Sequence, residues 1–302
     1  MEQNTSFNGS TGVNYDSERM RWEFYMKLVF AESLFVWIIS VIEIPVMILT
    51  LVALCALIKS QRSAPVFVIH LILSDLIQII CMLMMTIKRT PALQELFNEI
   101  KLYIMVSAYF YSLIAGLYFM ACVAFERYLL VSHPIWYKSH HSLKVSCVIS
   151  VIIWFVPLIF ADIYSDYLFN YLPRSIGCFI PYPIIILCFV GTRRGLSHAI
   201  SLTSLKRQLI LVLLTYTFLI LPYLILDFID KIFPNLWNSL LFVKMYYFFK
   251  YVLYLNPLAD CLLYLFMRPD VETVEPRLPA VFQCKILRLV HRPPAVQFKQ
   301  MK

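Results

Sequence analysis

An all-α membrane protein is what this sequence predicts: a bundle of seven transmembrane helices, amino terminus outside and carboxyl terminus inside. Three observations predict it. Hydrophobic residues make up 61% of the 302, against about 45–50% in an ordinary soluble domain. Charged residues make up only 15%, too few to solvate the surface of a soluble protein of this size. The apolar residues gather into seven stretches, most of them near the roughly 20 residues that cross a bilayer.

The first stretch, residues 28–58, carries Glu43 and Pro45 inside its apolar run, and the second, 65–87, carries Asp75 in Leu73-Ser74-Asp75-Leu76. The third, 102–125, ends at the charged triplet Glu126-Arg127-Tyr128, where the helix meets the inner water layer. The fourth, 145–164, holds Trp154, and the fifth, 175–192, stops short before Arg193 and Arg194. The sixth, 209–229, contains Pro222, which removes a backbone hydrogen bond and clashes with the carbonyl four residues back, so a kink is expected. The seventh, 239–267, contains Asn256-Pro257 and Asp260-Cys261-Leu262-Leu263-Tyr264. Connectors are short, as suits antiparallel neighbours, and no repeat or low-complexity tract interrupts the series. The expected organisation is a tail at 1–27, one helical domain at 28–267 and a second tail at 268–302.

Lys and Arg set the orientation. The segments placed inside hold sixteen of them and those placed outside hold eight, so residues 1–27 are expected to be extracellular and 268–302 cytoplasmic. The net charge of +8 therefore reads as topology rather than as nucleic-acid binding. The first tail lacks the apolar core of a cleaved signal peptide. Its sequons at Asn4 and Asn8 lie on the side that is glycosylated. Cys284, in the basic and apolar run from Cys284 to Val290, is a palmitoylation candidate suited to the inner leaflet. The multi-pass arrangement puts the chain in contact with lipid.

Six of the eight cysteines, Cys55, Cys81, Cys122, Cys147, Cys188 and Cys261, fall inside spans, where a thiol is usually a small core residue. Cys178 alone falls on the oxidising side, with no evident partner.

A charge at the centre of a membrane helix costs about 2.5–3.5 kcal/mol and needs a reason. Arg127 cannot shed its proton, so it pairs with an acid or reaches water; adjacent Glu126 supplies an acid, and snorkelling to phosphate is the plainer alternative. Asp75 and Asp260 are both acids inside spans, and two carboxylates brought close do not both stay ionised without a cation or a shared proton. They are either protonated acids bonded to backbone or Asn256, or a coupled cation or proton site. Glu43 is either a protonated helix-face carboxyl or part of a polar relay with Asp75.

The ordered set Pro45, Asp75, Glu126-Arg127-Tyr128, His133-Pro134, Trp154, Pro222 and the Asn256–Tyr264 segment resembles the rhodopsin-like (class A) G-protein-coupled receptors, over about residues 28–268. Pro45, Leu221-Pro222-Tyr223 and Asp260 with Tyr264 resemble its purinergic and lipid-like branch. The resemblance implies a receptor at the plasma membrane that passes an outside signal to a heterotrimeric G protein, with no enzyme activity and no cofactor. It implies that Arg127 pairs with Glu126 at rest and swings free when the sixth span pivots at Pro222. It also implies an activation core of Asp75, Pro222, Asn256, Asp260 and Tyr264, with sodium at Asp75 and Asp260. Two registers fit the seventh span, Asn256-Pro257 as the family's Asn-Pro or Asp260–Tyr264 as its acid-to-tyrosine motif, and the second is preferred.

The chain departs from the pattern in several places. Met47 stands where asparagine is usual, Glu43 where glycine is usual, Gly116 in place of a serine, Ile220 in place of an aromatic residue and Cys261 in place of proline. No cysteine stands at the outer end of the third span, so the family's disulfide is expected to be absent. These departures keep a constitutively active receptor, or a non-signalling scaffold or partner subunit, in view. A transporter or channel is the third class, against which the absence of paired repeats and glycine-rich helices argues.

In the outer half, Lys250 is the expected anion-binding residue, with Tyr247, Asp227, Arg89 and Lys88 as further ligand candidates; the alternative pairs Lys250 with Asp227. On a continuous helix Lys250 lies about 15 Å above Asp260. A small anionic or lipid ligand is the expectation. None of the six histidines falls in an outer segment, so acid sensing would run through Asp75, Asp260 and Glu43.

Overall fold

The computed structural model describes residues 10–59, 66–90, 93, 102–133, 135, 137, 143–160, 172–195 and 210–267. The described elements are helical: α1 (Ser10–Lys59), α2 (Val66–Arg89), α3 (Leu102–Ser132), α4 (Leu143–Ile159), α5 (Leu172–Phe179), α6 (Pro181–Gly195), α7 (Leu221–Ile232), α8 (Leu240–Leu253) and α9 (Asn256–Met267). A helical segment thus lies at each of the seven apolar stretches. Asn4, Asn8 and Cys284 lie outside the described residues.

Five helices are long and apolar enough to cross a membrane: Trp22–Ala56, Val66–Arg89, Leu102–Leu130, Ser175–Thr192 and Ile210–Ile232. The fourth stretch forms a shorter apolar helix, Leu143–Ile159, of 17 residues. The last stretch is split into helices of 14 and 12 residues. α1 begins at Ser10, well before residue 28, so much of the expected tail continues the first helix.

Prolines account for the interruptions. The sixth stretch widens into a π-helical turn at Tyr216–Ile220, closed by Leu221 N–H donating to the Tyr216 carbonyl. Pro222 follows at once and has no N–H to give, so the wider turn absorbs the expected kink. The seventh stretch breaks at a turn over Tyr254 and Leu255, after which Pro257 sits in the first turn of α9, a position where its missing N–H goes unmissed. Lys250 and Asp260 therefore do not share one continuous helix, which corrects the straight-helix arithmetic. Pro181 and Pro183 similarly follow the junction of α5 and α6 at Ile180.

α3 is the hub, packed on α2, α4, α5 and α6, while α1 and α9 close against α2. Leu113, Ala115, Phe119 and Ala124 of α3 are wholly buried. Helix approach is closest where side chains are smallest. A Cβ on Gly116 would stand 2.8 Å from Ser74 Oγ, and one on Gly191 would stand 2.5 Å from the Tyr128 ring. Lone hydroxyls bond back to their own helix, Ser40 to the Val36 carbonyl at 2.6 Å and Thr50 to the Val46 carbonyl at 2.8 Å, which spares them an apolar surrounding. Outward faces carry Val41, Val148, Phe155, Leu187 and Phe218, all exposed, as lipid contact requires.

Candidate functional site

Three polar layers occupy the helix bundle. The inner one is built at the end of α3. Glu126, Arg127 and Tyr128 are half-buried and consecutive on the helix, so they point in successive directions about 100° apart. Glu126 has a hydrogen-bonded partner beyond the end of α3. Its Oε1 accepts a 2.7 Å hydrogen bond from Tyr137 Oη, which also lies in this inner segment. Burial and the Glu126 carboxylate together hold the Tyr137 phenol above its ordinary range. The buried Nε of Arg127 has no hydrogen-bond partner among the described residues. Tyr128 packs its ring on Gly191 of α6 and stands 6.0 Å from the His133 ring.

The middle layer gathers the intramembrane acids. Asp75 is fully buried, and its Oδ1 accepts a 3.2 Å hydrogen bond from Gln78 Nε2. Asn256 Nδ2 lies 3.5 Å from Asp260 Oδ2. Asp260 and Glu43 are both close enough to act electrostatically on Asp75, so the three acids are brought together from α9, α1 and α2. Asp75 Oδ2, Asp260 Oδ1 and both Glu43 oxygens are buried with no hydrogen-bond partner. Glu43, 1% exposed, faces the interior rather than lipid. Gly116 leaves the space that Ser74 and Gln78 occupy. Two replaced positions meet here, with Cys261 Sγ lying 3.8 Å from Met47 Sδ. Among the described residues no group of three or more His, Cys, Asp or Glu is placed to hold a metal ion. Tyr264 is half-buried in the last turn of α9.

The outer layer departs most from expectation. Lys250 does not reach Asp227. Its Nζ lies 3.0 Å from Glu32 Oε1. The same oxygen accepts Arg89 Nη1 at 2.8 Å and Tyr254 Oη at 2.7 Å. Glu32 on α1 thus ties α2 and α8 together across a gap that no sequence spacing reveals. The Tyr247 ring lies 5.5 Å from Lys250 Nζ, and the Tyr25 ring meets Tyr247 edge-on at 6.3 Å. Lys88 precedes Arg89 and is half-buried.

Asp227 belongs to a second group. Its Oδ2 accepts Ser175 Oγ at 2.7 Å and its Oδ1 accepts Tyr246 Oη at 3.4 Å, and Tyr246 in turn lies 3.1 Å from Tyr223 Oη. Asp230 beside it pairs with Lys231 at 2.9 Å and accepts the Trp237 indole N–H. None of the seven cysteines within the described residues forms a disulfide, and Cys178 is 1% exposed. The Tyr216 hydroxyl donates to its carbonyl, so this cysteine seals α5 against the π turn through backbone rather than through sulfur.

The sequence reading passed over Glu32 as a partner, along with Tyr254, Gln78 and Tyr137. Glu32 carried the one usable signal, an acid inside an apolar stretch, which demands a cation. Residues 46–165 match the family model described as 7 transmembrane receptor (rhodopsin family). With five membrane-length apolar helices, this is an all-helical, multi-pass membrane protein.

Proposed function

We propose that this chain is a rhodopsin-like receptor with seven spans, extracellular amino terminus and cytoplasmic carboxyl terminus, which couples an outside ligand to a heterotrimeric G protein at the plasma membrane. The observation that carries the reading is the family match over residues 46–165, which includes Glu126-Arg127-Tyr128 at the inner end of α3. Arg127 with its unpartnered Nε is the group that would receive the G-protein helix, while Glu126 is retained by Tyr137. The π turn beside Pro222 is a wider, more weakly bonded stretch of helix, suited to act as the pivot between the outer and inner layers. The purinergic and lipid-like branch is favoured by Pro45, Leu221-Pro222-Tyr223 and Asp260 with Tyr264. The ligand is small and anionic or lipidic, held in the outer layer around Lys250.

Asp75 and Asp260 would hold sodium, whose charge would offset the two carboxylates; the orphaned oxygens Asp75 Oδ2 and Asp260 Oδ1 fit that role. Asn4 and Asn8 are the proposed glycosylation sites and Cys284 the proposed palmitoyl site.

The test compares wild type with Arg127→Ala at matched surface abundance, without added ligand, by calcium and cyclic-nucleotide readouts. A wild-type basal signal that falls at least severalfold in the variant supports coupling through Arg127. A wild-type signal that the variant retains in full refutes it.

A further inference from the structure

Among the described residues, the cluster around Glu32 in the outer layer holds one carboxylate and two cations. Glu32 is 3% exposed at its side chain, while Arg89 and Lys250 keep 24% and 21%. Among the described residues no second acid lies within 4 Å of either cation. Net charge at this point is therefore one positive unit, enclosed by α1, α2 and α8. A guanidinium offers five N–H donors and an ammonium three, and only one from each reaches Glu32. Tyr247, Tyr254 and Tyr25 stand around the cations, an apolar wall with aromatic faces.

Resting on the receptor reading, we propose that Arg89 and Lys250 form the seat of a monocarboxylate ligand, whose single negative charge balances the cation that Glu32 leaves over. The guanidinium fork matches a planar carboxylate through two parallel bonds, and Lys250 supplies a point charge beside it. A dianion would overfill the charge balance; a neutral or cationic ligand would leave it open. The ligand body lies against Tyr247 and Tyr25 and is aromatic or alkyl. Such a carboxylate comes either from water or from the bilayer, as a free fatty acid.

The test uses the full chain in phosphatidylcholine nanodiscs, followed by thermal unfolding during titration. The probes are sodium phenylacetate in the buffer and palmitate in the bilayer, with 2-phenylethanol and phenethylammonium chloride as uncharged and cationic counterparts. At least one carboxylate raises the unfolding temperature saturably while its counterparts do not; phenylacetate alone indicates entry from water and palmitate alone indicates entry from lipid. Arg89→Gln and Lys250→Gln each move the titration midpoint up by tenfold or more. Arg89→Lys keeps the charge without the fork and moves it three- to tenfold, which covers the case in which the glutamine variants do not fold. The proposal is overturned if neither carboxylate stabilises more than its counterparts, or if Arg89→Lys binds with the wild-type midpoint. Binding without any second-messenger change would leave the seat standing and remove the receptor reading, whereas an Arg127-dependent signal without carboxylate binding would do the reverse.

Discussion

The contact between α2 and α3 at Gly116 gives the sharpest stability prediction. A Cβ there would lie 2.8 Å from Ser74 Oγ, 3.5 Å from Gln78 Nε2 and 3.7 Å from Ser74 Cβ. Only the first distance is untenable. Ser74 Oγ is tied to the Leu71 carbonyl at 2.6 Å, so yielding means losing that bond or parting the helices. Overpacking of this kind costs about 1–3 kcal/mol, set against a gain of up to about 1 kcal/mol for replacing a helical glycine by alanine. A double-mutant cycle separates the two, because the helix gain is common to both backgrounds and cancels. Gly116→Ala and Ser74→Ala are made singly and together, and the unfolding temperature of each purified protein is measured in one detergent. Ser74→Ala removes the offending oxygen and leaves an ordinary contact, so the pair should recover about 1–2 kcal/mol relative to the sum of the singles. Effects that add to within about 0.5 kcal/mol would show that the close approach is not where the structure puts it. The same reasoning predicts that Gly116→Ser, which restores the family's usual residue, destabilises rather than repairs the middle layer.

Two further predictions follow from the inner and outer layers. Glu32→Gln leaves Arg89 and Lys250 facing one another without their shared carboxylate; breaking a buried pair costs about 3–5 kcal/mol, and the partial exposure of both cations lowers the expected loss to about 2–3 kcal/mol. An unfolding temperature within a degree of wild type would refute the ionic tie between α1, α2 and α8. Tyr137→Phe removes the 2.7 Å bond to Glu126, worth about 1.5 kcal/mol for a charged acceptor. If that bond restrains the resting state, basal signalling rises by up to about tenfold at matched surface abundance; an unchanged or lower basal signal would show that it does not.

The helical class and the places where helices fall could be read along the chain, because both depend on local quantities. The length of an apolar run is set against bilayer thickness, and a proline's missing N–H is a property of one residue. Thus the interruption beside Pro222 was legible, although its form, a π turn, depended on neighbouring packing; the break before Pro257 was not, since the seventh stretch was expected as one helix. The meeting of Asp75 with Asp260 was expected only through the family resemblance. A buried charge demands company. Which company it finds is not a local property. The sequence reading offered Asp227 as the acid for Lys250, and the tertiary structure decided for Glu32 because α1 lies beside α8 while Ser175 and Tyr246 already enclose Asp227. Glu126 likewise accepts a hydrogen bond from Tyr137, eleven residues on, a partner no local spacing reveals. Composition and periodicity specify where each helix lies and which residues are costly to bury; only the three-dimensional packing determines which partners meet that cost.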